Sequence, residues 1–289
     1  MIAAARPFDW HLHLLWLLAL LGLVAGYLWA TQRQGCTAAP RQKLLFLSGV
    51  VLLAGALTWP LGDLASHWLL FALVLQRLLL TLAVPPLLVL GTPRPIIARL
   101  TRPAAVDAVL RVAVRPLPAV AIVTVVAVGT LTVGAVSLAA HSVVARTVVQ
   151  LVVLASGFVL WAPVLTELPG AQRLSALGRG GYLIVQSIVP SFLSIVWIFA
   201  RHSLYPTFTY TGTIAGMSPL LDQELAGFLA KLSTIAVLWT VAFVIMTRAE
   251  TAGEDTDPLV WSDVEREIQR AERRDRRQGW PGPPAAGSR

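Results

Sequence analysis

Seven apolar runs fill most of the chain's first 247 residues: Leu14–Thr31, Leu44–Trp59, Trp68–Leu90, Leu117–Ala140, Thr147–Leu165, Tyr182–Ala200 and Leu225–Thr247. About 20 predominantly apolar residues cross a bilayer as a helix, so each run qualifies or comes close as a membrane span. The second is the shortest and can extend toward Lys43 and Leu61. Charged residues make up 13% of the chain, about half of the roughly 25% that a water-facing surface carries. The solvent on most of the outside is therefore lipid, and an ordinary soluble domain is excluded. The first run has only Arg6 ahead of it and lacks a small-residue cleavage site before Cys36, so it reads as an uncleaved span rather than a signal peptide. With one cysteine, Cys36, a disulfide framework and multi-cysteine metal sites are also excluded.

The net charge of +8 sits mainly in the loops. Arg33, Arg41 and Lys43 follow the first run, Arg94, Arg99, Arg102, Arg111 and Arg115 the third, Arg173 and Arg179 the fifth, and Arg248 opens the tail. The opposite loops carry Arg146 and Arg201 at their edges. This asymmetry reads as membrane orientation rather than nucleic-acid binding. It predicts an all-α, multi-pass plasma-membrane protein of seven transmembrane helices, with the N-terminus outside and the C-terminus cytoplasmic. A six-span arrangement would move one terminus across.

Proline adds detail. Pro85 and Pro86 lie inside the third run and Pro190 inside the sixth, and each removes a helix donor. The third helix is expected to stop near Ala83, with Pro85–Gly91 continuing as a bent or re-entrant segment. Gly129 and Gly134 in the fourth run are expected to let helices approach closely. Domain boundaries follow: residues 1–247 form the membrane domain, and 248–289 a charged cytoplasmic tail. In the tail, Ser262 and Glu265 read as a capping box opening a helix over 262–277, before a Pro/Gly-rich end expected to be disordered. Its arginines can touch anionic lipid headgroups.

No phosphate-cradling glycine loop, zinc-peptidase helix or nucleophile elbow occurs, and no paired carboxylates lie inside the spans. Catalysis is not expected. What remains at membrane depth is Gln76 and Arg77 in the third run, Gln150 in the fifth, Gln186 in the sixth and Lys231 in the seventh. Such residues are expensive in lipid and mark function. Arg77 stands near the midplane with no carboxylate at its depth. It either hydrogen-bonds carbonyls freed by Pro85 or Pro190, and so fixes the bundle, or contacts an anion or lipid phosphate. With Lys231 it could also line an anion path, the transporter or channel alternative. His67, His141 and His202 fall at the outer ends of three spans, where imidazoles could converge on copper, with the thioether of Met217 as a fourth ligand.

Several segments together resemble the CtaG-like cytochrome c oxidase assembly factors, over about 200 residues from Trp59 to Met246. Gln76 and the following leucines, then Val84-Pro85-Pro86 through Gly91-Thr92-Pro93, are similar to the family's third span and its exit. Leu160-Trp-Ala-Pro-Val164 is similar to the end of its fifth span. The most specific stretch is Ser218-Pro219-Leu-Leu-Asp222-Gln223-Glu-Leu-Ala-Gly227, similar to the start of its seventh. The resemblance implies a non-enzymatic role in assembling a haem–copper oxidase, with oxidase subunits as partners and copper as the metal handled. It also exposes departures. Where the family carries histidines in spans three and five, this chain has Leu73, Arg77 and Gln150, and no Trp-His pair occurs within Thr130–Ser137. Metal handling would then rest with the outer histidines, or the chain is a scaffold without metal.

Overall fold

A computed structural model describes residues 14–33, 37–165, 174–208 and 216–252. The tail helix expected over 262–277 lies outside the described residues, as do His11, His13 and Cys36. Among the described residues the regular structure is helical throughout, without a strand. By internal contacts the chain divides into Met1–Ile245 and Met246–Arg289.

The helices are α1 (Leu14–Arg33), α2 (Pro40–Leu57), α3 (Leu61–His67), α4 (Leu70–Leu78), α5 (Val84–Gly91), α6 (Arg94–Leu100), α7 (Ala104–Ala113), α8 (Pro116–Thr130), α9 (Val133–His141), α10 (Val143–Trp161), α11 (Ala176–Phe199) and α12 (Pro219–Ala252). Six helical stretches are long and apolar enough to cross a membrane, and a seventh span results if the bent pair α7 and α8, at 98°, is counted as one. Their outer faces carry apolar side chains such as Leu15, Leu117 and Phe199, each more than three-quarters exposed. In water this would be an aggregation liability; against acyl chains it is the expected surface.

The third run does not stop at Ala83. A π-helical turn over Leu79–Ala83 joins α4 to α5, and the stretch continues unbroken as Leu70–Gly91. Pro85 and Pro86 occupy the first turn of α5, directly after the π-turn, so their missing N–H groups leave carbonyls of that turn to other donors. The widened turn absorbs the ring clash that would otherwise break the helix. Pro190 likewise leaves α11 continuous from Ala176 to Phe199.

The fourth run, by contrast, is not one helix. It breaks at Leu131–Thr132 into α8 and α9, and the Thr132 hydroxyl caps the new helix by accepting from Ala135 N at 3.3 Å. Nothing lies within 4 Å of a Cβ built on Gly129 or Gly134. Those glycines flank the break and mediate no close helix contact, contrary to the expectation.

Buried side chains form separate clusters along the bundle. Trp161, Tyr182, Leu183 and Leu238 centre one, and Tyr27, Phe46, Leu53 and Val84 a second. A third gathers Leu70, Trp197, Tyr205, Phe208 and Ala226 at the end where α4 and α12 begin and α11 ends.

Candidate functional site

The residues that sequence reasoning singled out fall into two constructions. One surrounds Arg77 in the middle of the bundle. The other is built by the motif at the start of α12.

Arg77 is on the last turn of α4 and 9% exposed. A helix ending inside the membrane leaves carbonyls without partners and a negative dipole end. Arg77 answers both at the end of α8. One guanidinium nitrogen donates to the Thr130 hydroxyl, and the other donates to the Thr130 carbonyl at 2.9 Å. The next carbonyl, of Leu131, accepts from the Tyr205 hydroxyl at 2.6 Å. Burial pushes the Tyr205 phenol above its usual range, which keeps it a donor. The carbonyls that Arg77 satisfies are thus those of the broken fourth run, and not ones freed by proline. The carbonyl left by Pro85 is Thr81 O, and it accepts from the Trp161 indole N–H at 3.0 Å. Gln76 ties α4 to α2 by donating to Ala56 O at 2.6 Å.

The α12 motif is a clip. Ser218 accepts from Leu221 N at 3.2 Å and caps the helix, and Pro219 is its first residue. Asp222, fully buried, accepts from Leu70 N at 2.7 Å and Phe71 N at 3.1 Å. It therefore caps α4 from a distant part of the chain, where Leu69 itself offers no side-chain acceptor. Gln223, also fully buried, accepts from Leu204 N at 2.7 Å and donates to Trp197 O at 3.3 Å, holding the chain as it leaves α11. Gly227 allows α12 to press on α11, since a Cβ there would lie 3.0 Å from Ser194 O.

A small cavity of about 20 Å³ is lined by Ser66, Leu73, Gln76, Arg77, Arg146 and Gln150, among others. That is room for about one water. The positions where the resembled family carries histidine, Leu73, Arg77 and Gln150, thus converge on one cavity. Their side chains do not fit copper: leucine has no donor atom, and arginine holds its proton. A larger cavity, about 110 Å³, lies on another side of Arg77 and is lined by Gln186 and mostly aliphatic side chains. Lys231 is partly buried on α12 and lines neither of these two cavities.

The histidines expected at the outer end are only partly gathered. The His67 ring pairs with Ser66 Oγ at 2.7 Å and with the backbone of Ala140, within electrostatic range of His141 and Arg146. His141 Nδ1 pairs with Ser137 O at 2.7 Å. Among the described residues no group of three or more His, Cys, Asp or Glu side chains is placed to hold a metal ion. His202 is therefore not grouped with the other two.

Sequence reasoning missed Thr130, Tyr205 and Trp161 as partners. The signal for Thr130 was a hydroxyl beside Gly129, one of several in the fourth run, and Trp161 stood in a stretch noted for its resemblance. Comparison with curated proteins and with solved structures gave no match. Residues 11–250 do match a family described as cytochrome c oxidase caa3 assembly factor, a longer stretch than the motifs alone covered. The chain belongs to that family of cytochrome c oxidase caa3 assembly factors.

Proposed function

We propose that this chain serves haem–copper oxidase assembly as a non-enzymatic scaffold of the plasma membrane, contacting oxidase subunits rather than carrying copper at its centre. The observation that carries this reading is the Arg77 guanidinium, which lines the small cavity beside Leu73 and Gln150 and is bound to Thr130. A fixed cation there repels a metal ion and stabilises the broken helix instead. The test is a strain lacking the chain. Assembled oxidase and its haem content should fall and return on complementation, and the complementing protein should purify without stoichiometric copper. Unchanged oxidase in the deletion strain would overturn the assembly role.

A second reading keeps copper as cargo at the outer end. It is favoured by the closeness of His67 to His141, with His202 and Met217 joining on rearrangement. Loading with Cu(I) followed by elemental analysis separates the two: near-equimolar copper that is lost in His67→Ala and His141→Ala supports the second. For orientation, the arginines of the first, third and fifth loops support an outside N-terminus and a cytoplasmic C-terminus. Reporter fusions at both ends test it, and matching signals from the same side would require six spans.

A further inference from the structure

Two buried polar atoms in the bundle have no hydrogen-bond partner and belong to side chains lining the same cavity. They are Arg77 Nε and Gln186 Oε1. Both residues are at least nine-tenths buried, Arg77 at 9% and Gln186 at 4% exposure. The cavity between α4, α8, α10, α11 and α12 measures about 110 Å³. Cavities of roughly this order, about 150 Å³, bind a benzene ring when lined by aliphatic side chains. Most of the remaining wall is of that kind, including Val74, Leu82, Val153 and Leu238, and the Thr81, Thr130 and Ser156 hydroxyls that also line it already donate to backbone carbonyls.

The two orphans are complementary. Arg77 Nε carries a hydrogen and needs an acceptor, whereas Gln186 Oε1 has lone pairs and needs a donor. A hydroxyl group is both at once. A carboxylate would meet Arg77 but repel the amide oxygen, and a plain hydrocarbon would leave both atoms unpaired in a place where each unmade bond is expensive. We propose that this cavity is a binding site for a membrane-soluble ring bearing a hydroxyl, the chemistry of a phenol or quinol. Neither orphan atom has exposed surface of its own, so the two side chains turn toward the cavity as the ligand enters: the hydroxyl oxygen then accepts from Arg77, its hydrogen goes to Gln186, and the ring lies among the aliphatic side chains. Nothing in the proposed assembly role requires such a ligand.

The test uses the full chain in nanodiscs, with phenol as probe and toluene as its near-isostere lacking the hydroxyl. Binding is read by ligand-detected NMR, and the signal of Leu238→Trp, which fills the cavity, is subtracted as partition into lipid. Phenol should bind more tightly than toluene by about tenfold, the usual worth of one well-placed hydrogen bond. Gln186→Met leaves only the bond from Arg77, so it should cut that preference several-fold and leave toluene binding unchanged. If Leu238→Trp fails to fold, Ala127→Leu fills the same space more gently. Equal binding of phenol and toluene would overturn the proposal. So would a phenol preference unchanged in Gln186→Met, phenol binding that survives the filled cavity, or no binding of either probe, which would mean that the cavity holds water alone.

Discussion

Arg77 keeps a charge at membrane depth by serving a backbone end rather than a carboxylate. In Arg77→Met the Thr130 carbonyl loses its partner in a place without water, and a loss of about 1–3 kcal/mol is expected. Thermal unfolding of the detergent-solubilised protein measures it. Arg77→Lys keeps the charge near the end of α8 but not the forked pair of donors, so its midpoint should fall between the parent and Met forms. Asp222 should behave in parallel. Asp222→Ala removes the cap of α4 and should cost about 1–2 kcal/mol, while Asp222→Asn keeps an acceptor oxygen and should cost less. The sequence marked Arg77 because charge in an apolar run is conspicuous, and Asp222 through the motif that precedes the seventh run. Their partners were not legible, since Thr130 and Leu70 meet them only through tertiary folding, and the break at Leu131–Thr132 carries no proline to announce it.

At the scale of elements, the π-turn of the third span is the feature that sequence rules half-predicted. Pro85 and Pro86 announced a disturbance, and the disturbance exists. Whether a proline pair ends a helix or widens it depends on whether another helix supplies a donor, and Trp161 on α10 does so. Trp161→Phe should therefore destabilise by about 1–2 kcal/mol through the unpaired Thr81 carbonyl and lost packing. The same junction demands Gly157, where a Cβ would lie 2.7 Å from Leu80 O and 2.8 Å from Pro85 Cγ. Gly157→Ala forces backbone apart and should cost about 1–3 kcal/mol. Gly181→Ala, where nothing lies within 4 Å of the added carbon, is the control and should leave the unfolding midpoint nearly unchanged. The spans themselves were legible because about 20 apolar residues leave few alternatives in a bilayer. The division of the fourth was not, because hydropathy averages across a two-residue break.

For the whole molecule, helices, lipid-facing surface and family were legible, and the centre was not. Hydropathy and motif order carry the first three, whereas the centre depends on which side chains from five helices end up side by side. The contacts across it also have an order in time. Synthesis runs from the N-terminus, so Arg77 is already in place when Thr130 emerges, and the end of α8 is met at once. The third span has no such luck. Its start awaits Asp222 and its turn awaits Trp161, 152 and 80 residues along the chain. Until then each unmatched backbone group in lipid is a standing penalty of several kcal/mol. A chain cut before Pro219 should thus be recognised as incomplete by the cell's proteolysis, and pulse-chase labelling should show it lost faster than the full chain. Supplying α12 as a separate peptide should slow that loss, unless it carries Asp222→Ala. The clip that looks like static architecture is, on this view, a signal that the last helix has arrived.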